Sequence, residues 1–122
     1  MSAYQRVPTQ MWLALAISAC GGAPLNQAKL TEVNTALHTA ETLGAEQDPK
    51  AKQSLQQARN EAAEAKRLGE HGDGEKGDLL LARAQSDADL ASQLMRTRKA
   101  QDQAREAWAK STSGGGATPA PQ

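Results

Sequence analysis

From residue 51 onward, small residues and one leucine recur at spacings of four, three, four, three and four: Ala51, Leu55, Ala58, Ala62, Ala65 and Gly69. That rhythm keeps one face of an α-helix and no face of a strand. An inner face built from alanine can bury itself only by drawing a neighbour close, toward the lower end of the roughly 8–10 Å range of helix packing. The chain is thereby constrained to close-packed helices. Its supply of large apolar residues points the same way: phenylalanine is absent, and after residue 20 Trp108 is the one aromatic that remains among thirteen leucines, valines and methionines. Alanine fills most other apolar positions, and its high helix propensity favours helix along most of the chain. The expected fold is all-α: an elongated three-helix antiparallel bundle of coiled-coil-like hairpins with a long third helix and a disordered C-terminal tail.

Three segments separate at recognisable punctuation. The first runs from about 24 or 26 to 43, with Leu30, Val33, Leu37 and Ala40 at helical spacing, and Gly44 stands where a left-handed residue closes a helix. The second opens at Asp48-Pro49, a capping carboxylate followed by the residue suited to the first helical position, and reaches about residue 70. A glycine-rich turn, 69–74, follows. The third helix is expected to begin between Asp73 and Gly77, with Leu80, Leu81, Ala84, Ala88, Ala91, Leu94 and Met95 facing inward. Beyond Met95 the apolar face weakens while helix-forming residues continue to Lys110. Arg98, Asp102, Glu106 and Lys110 lie four apart, so the outer pairs attract and the central acidic pair repels. Residues 111–122, rich in Ser, Gly, Thr and Pro, read as a flexible tail.

The N-terminus carries a different signal. Leu15-Ala16-Ile17-Ser18-Ala19-Cys20 ends a short apolar run, 11–19, that follows Arg6. The layout is that of a signal peptide, and the run is far shorter than the roughly 20 residues a membrane-spanning helix needs. Small residues before a lone cysteine form a bacterial lipobox. Residues 1–19 are therefore expected to be a lipoprotein signal peptide, Cys20 the lipidated first residue of the mature chain, and 20–24 a lipid-anchored linker ahead of a helical domain over 25–110. Cleavage leaves 122 − 19 = 103 residues, one small domain by length. With the only cysteine taken by lipid, no disulfide is expected.

On this framework a resemblance rests. Leu55-x-x-Ala58-Arg59-x-x-Ala62-x-x-Ala65, the turn Gly72-Asp73 and Ala84-x-x-Asp87-Ala88-Asp89-Leu90-Ala91 resemble the DUF4398 (domain of unknown function) family across roughly residues 25–100. The resemblance implies a small bacterial envelope lipoprotein with a helical domain; it lends no activity and no site residue. Where the family turn continues with tyrosine and, three residues on, alanine, this chain has Gly74 and Gly77. Two glycines at about 1 kcal/mol each predict a loosened start to the third helix.

Chemistry is sparse. Without residues 1–19 the chain holds 13 Lys and Arg against 14 Asp and Glu, so phosphate binding lacks an electrostatic basis and nucleic acid is not an expected partner. His38 and His71 lack companion ligands, and Asp73, Glu75 and Asp78 lack the twelve-residue calcium pattern and its closing glutamate. Ser54, Ser86 and Ser92 sit in helical segments outside any nucleophile elbow. No enzyme activity, cofactor or metal is expected. The reading is an outer-membrane, lipid-anchored, periplasm-facing lipoprotein of a Gram-negative cell, sorted outward because Gly21 rather than aspartate follows Cys20. It would act as a non-catalytic helical scaffold or adaptor; the alternative is a structural lipoprotein that contacts peptidoglycan non-covalently. Partner contact, with an envelope protein or by self-association, is expected at 96–110, where Ala100, Ala104, Ala107 and Trp108 form a stripe opposite charged residues. Because three residues separate Cys20 from Pro24, the domain is expected to begin at the bilayer and this end of the third helix to lie distal.

Overall fold

The computed structural model describes residues 22–114. Among them are three α-helices and no strand: α1 Gln27–Thr42, α2 Pro49–Glu70 and α3 Gly74–Gly114, with a short 3-10 turn, Ala45–Gln47, between the first two. The all-α three-helix bundle with a long third helix is as the periodicity predicts. The signal peptide, Cys20 and the last part of the expected tail, 115–122, lie outside the described residues.

The first two helices each start on a side chain suited to start them. Asn26 accepts from the Ala28 and Lys29 amides at 3.0 and 3.2 Å, and Asp48 Oδ1 from those of Lys50 and Ala51 at 3.0 Å each. Both caps satisfy amides that the first helical turn leaves without partners. Gly44, at φ 87°, turns the chain out of α1 in the left-handed region that glycine enters without strain. Gly72, at φ 83°, does the same between α2 and α3.

At 1.5 Å per residue the helices are about 24, 33 and 60 Å long. α1 and α3 run the same way and α2 runs the opposite way; α3 packs most extensively on α2 and then on α1, while α1 and α2 touch little. The α2 seam is buried as its spacing demands, with Ala51, Leu55, Ala58 and Ala65 inaccessible and Ala62 nearly so. Val33, Leu55 and Leu81 are the largest fully buried side chains, each contributing about 2 kcal/mol of apolar burial. Small residues supply the rest: Ala36 and Ala40 from α1, Ala84, Ala88, Ala91 and Ser92 from α3. On α1, Leu30 and Leu37 sit half-buried at the flanks of the face while Ala36 takes its centre. Alanine allows the closer approach there.

The start of α3 departs from expectation. Gly74 and Gly77 are buried and do not loosen the helix. A Cβ on Gly77 would lie 2.6 Å from Leu25 Cδ1 and 2.8 Å from the Ala65 carbonyl oxygen. One on Gly74 would lie 2.1 Å from the Ala23 carbonyl oxygen, and one on Gly69 would lie 2.7 Å from Leu25 Cβ. Residues 22–26 thus lie in a cradle that only glycine leaves open, and tertiary packing offsets the helix-propensity cost of Gly74 and Gly77. At the other end α3 continues through Gly114, four residues past Lys110. The hydroxyls of Ser111, Thr112 and Ser113 donate to carbonyls three and four residues back, which keeps these polar residues in the helix.

Candidate functional site

The bundle has two unlike ends. At one, the segment before α1 is tied to the α2–α3 turn. The Gly74 amide donates to the Ala23 carbonyl at 2.9 Å, the Asn26 amide donates to Asp78 Oδ1 at 2.9 Å, and Lys29 Nζ lies 3.6 Å from Asp78 Oδ2. Leu25 seals this end and belongs to the same buried cluster as Val33, Ala65 and Leu81. Gly22, the first described residue, therefore lies against Gly72 in the α2–α3 turn. The cradle leaves no mark in the helical periodicity of the chain. Its signal is the pair Leu25 and Leu30 around the Asn26 cap, the spacing of a hydrophobic staple.

At the other end the short turn and the start of α2 form a collar around α3. Arg59 on α2 reaches Glu41 on α1 and Glu46 in the turn, both at 2.6 Å. Arg98 on α3 makes an ion pair with Asp48, the carboxylate that caps α2. The Ala51 amide, then the Arg98 guanidinium and the Lys50 amide, hold the Asp48 carboxyl below the usual carboxylate range against the opposing pull of desolvation. Arg98 thus leaves the expected ladder with Asp102, Glu106 and Lys110 for a partner 50 residues away in sequence. Met95 and Leu94, half-buried, close the core at this level.

Above the collar, every residue of 96–114 is exposed. Beyond Arg98, which the collar holds, this is a free arm about 24 Å long at helical rise. The structure brings Ala100, Ala104, Ala107 and Trp108 together along the arm and covers none of them; Trp108 is 72 % exposed. Isolated helices of this length are marginal in water, so the arm draws its order from continuity with the bundle.

A second feature is polar. A groove of about 550 Å³ runs between α1 and α3, with Thr31, Thr35 and Thr39 on one wall, Gln85, Asp89, Gln93 and Arg96 on the other and Ala36 and Ser92 at its floor. The three threonine hydroxyls donate to carbonyls one turn back and present their lone pairs. Gln85 Oε1 is buried without a hydrogen-bond partner in the protein.

The remaining residues singled out in the sequence stay apart. His38 is exposed beside Glu41, at 3.9 Å, and His71 is exposed as the last cap of α2. Asp78 is taken by Asn26 and Lys29, and Asp73 lies 3.4 Å from Lys76. Among the described residues no three His, Cys, Asp or Glu side chains converge on a point where a metal could sit, and no helix is long and apolar enough to cross a membrane. Comparison with family models, curated proteins and solved structures finds nothing that matches this chain. The likeness to DUF4398 therefore rests on the quoted residues alone.

Proposed function

We propose that the chain is a lipoprotein held to the outer membrane through Cys20, and that its helical body is a non-catalytic adaptor presenting the end of α3 to another envelope component. The observation that carries this reading is polarity. The chain enters the bundle at the end marked by Ala23, Leu25 and Gly74, while the uncovered arm with Trp108 leaves from the opposite end. An anchor at Cys20 needs only residues 21–23 to reach the bundle, at most about 15 Å of chain. The arm would then project away from the bilayer, as a presenting element must.

Cys20→Ser tests the anchor: loss from the membrane fraction and of the acyl mass on the N-terminal peptide is expected, and unchanged fractionation refutes it. Chemical crosslinking of intact envelopes followed by capture of the chain tests the adaptor. Truncation after Met95 should abolish a protein partner and leave membrane association intact. A crosslinked partner retained by the truncated chain would move the contact off the arm.

The polar α1–α3 groove favours one other reading, non-covalent contact with peptidoglycan. Hydroxyls, amides and the charged side chains of Glu32, Asp89 and Arg96 suit a hydroxyl- and amide-rich glycopeptide. Recovery of muropeptides instead of protein from the same capture, abolished by Asp89→Ala and unaffected by truncation after Met95, would select it.

A further inference from the structure

The large apolar side chains that remain exposed among the described residues are Leu79 (69 %), Leu90 (46 %) and Trp108 (72 %), and all three belong to α3. Leu90 follows Leu79 by 11 residues and Trp108 follows Leu90 by 18. At 3.6 residues per turn these steps are about three and five whole turns, so the three side chains fall within about 20° of one line along the helix. The line lies on the side of α3 away from Leu81, Ala84, Ala88 and Ala91, which are fully buried against α1 and α2. Between these anchors Ser86, Thr97 and Ala104 continue the line with small uncharged side chains, and Arg83 and Gln101 flank it on the side toward α2. α3 therefore carries two apolar stripes, and the bundle uses one.

Charge determines what fits the other. Residues 22–95 hold eight Lys and Arg against twelve Asp and Glu, a net charge of −4; residues 96–114 hold five against two, a net charge of +3. The near-neutral total conceals an acidic body and a basic arm on one helix. A second copy laid parallel would set arm on arm and body on body, like charge on like. Laid antiparallel, it sets each basic arm on the other's acidic body.

The apolar line has the matching symmetry. Its midpoint falls between Gln93 and Leu94; a two-fold axis there places Leu79 opposite Trp108 of the partner subunit and Leu90 opposite Thr97 of the partner subunit. Asp89 and Arg96 lie on the same flank of the line, toward α1, so the same axis brings Asp89 toward Arg96 of the partner subunit. We propose that two copies of this chain pair antiparallel along the outer face of α3, the basic arm of each covering the acidic body of the other. The interface is isologous and closes as a dimer. It stands independently of the anchor: it sets the two N-terminal ends at opposite ends of the pair, so it joins released copies or copies held on facing surfaces, not neighbours on one bilayer.

The test is disulfide trapping in the full chain with Cys20→Ser, which leaves no native thiol. Leu79→Cys and Trp108→Cys chains are prepared separately, then mixed and oxidised. A 79-to-108 crosslink between copies is expected, in clear excess over 79-to-79, over 108-to-108 and over a control Gln53→Cys on the exposed side of α2. Adding Leu90→Glu to both chains should lower its yield about tenfold, because an unpaired carboxylate would lie at the centre of the interface. Raising salt should lower it less, since only the charge component is screened. Circular dichroism of the Leu90→Glu chain checks that helicity is retained; Ser86→Glu, on the same face, repeats the test if it is not. Predominant 108-to-108 crosslinks would overturn the proposal in favour of parallel arms. A 79-to-108 yield no higher than the Gln53→Cys control, or one indifferent to both glutamate substitutions, would remove it.

Discussion

Residues 74–95 and 96–114 form one unbroken helix with four alanines in each part, yet they are held by different physics. The first half buries Leu81, Ala84, Ala88 and Ala91 completely; the second is exposed at every position. Alanine is equally common in both, so alanine content alone does not separate them. What separates them is whether α1 and α2 are long enough to reach. Those helices span about 24 and 33 Å against about 60 Å for α3. The lesson is that an alanine stripe stabilises only where a neighbour lies close, and that on the arm the same stripe is an unfilled demand for one.

The sharpest way to break this comparison is to truncate one leucine on each face of α3. Leu81→Ala should cost about 2–5 kcal/mol of unfolding free energy, because it opens a cavity between helices that cannot collapse further. Leu79→Ala, two residues away and 69 % exposed, should stay within about 0.5 kcal/mol. Urea unfolding of the two variants measures both; equal losses would mean that the outer face is packed after all.

Glycine gives the next largest contrast. Intrinsic propensity says that Gly→Ala in a helix gains up to about 1 kcal/mol. Gly77→Ala should instead destabilise by about 1–3 kcal/mol, since its methyl would collide with Leu25 and the Ala65 carbonyl. The same change at Gly114, where a Cβ meets nothing within 4 Å, should be neutral or slightly stabilising. Thermal melts distinguish the signs. Asn26→Ala removes a cap at the cradle and should cost about 1 kcal/mol; amide exchange at Ala28 and Lys29 should rise with it.

Exchange also separates the two halves of α3 directly. Amides of 81–92 should exchange only through opening of the whole bundle, and those of 100–112 should exchange many times faster, in the wild-type chain without its partner. Slow exchange along the arm that is lost on dilution would point to association, and slow exchange at every concentration would contradict a free arm.

The smallest effect is the pH dependence at the collar. Asp48 is held below its ordinary carboxylate value of 3.8 by the Ala51 amide first and Arg98 among the others. A lowered folded value means that Asp48 stabilises the fold fully above the ordinary value, and that this contribution is lost as pH falls below it through the lowered one. Asp48→Asn retains a capping side chain but not the charge, so its melting temperature should approach that of wild type as acid is added. A constant gap down to pH 2 would exclude this carboxylate as a source of the pH dependence.

Reading the chain residue by residue recovers α2 almost to its ends, because its cap, its proline and its inner face all agree. The free end of α3 is legible as well: a helix-forming stretch without a strong apolar face, following two shorter helices, has nowhere to bury. The cradle is not. Leu25, Gly69, Gly74 and Gly77 are far apart in sequence or look like propensity defects, and their complementarity exists only once residues 22–26 lie against the α2–α3 turn. Arg98 is similar. Local spacing offers it Asp102 at one turn's distance, but Asp48 lies fixed at a helix start and partly shielded from water, so a pair there is screened less and orders fewer free side chains.

The sequence by itself determined the all-helical class, the positions of the turns and the small-residue seams, because helix propensity, capping and periodicity act over a few neighbouring residues. Only the tertiary structure decided that the segment before α1 closes one end of the bundle, that two glycines are sites of closest packing, and that the apolar residues of α3 divide into a buried stripe and an exposed one. Those outcomes depend on which surfaces come within van der Waals distance, and local spacing along a chain does not encode that distance.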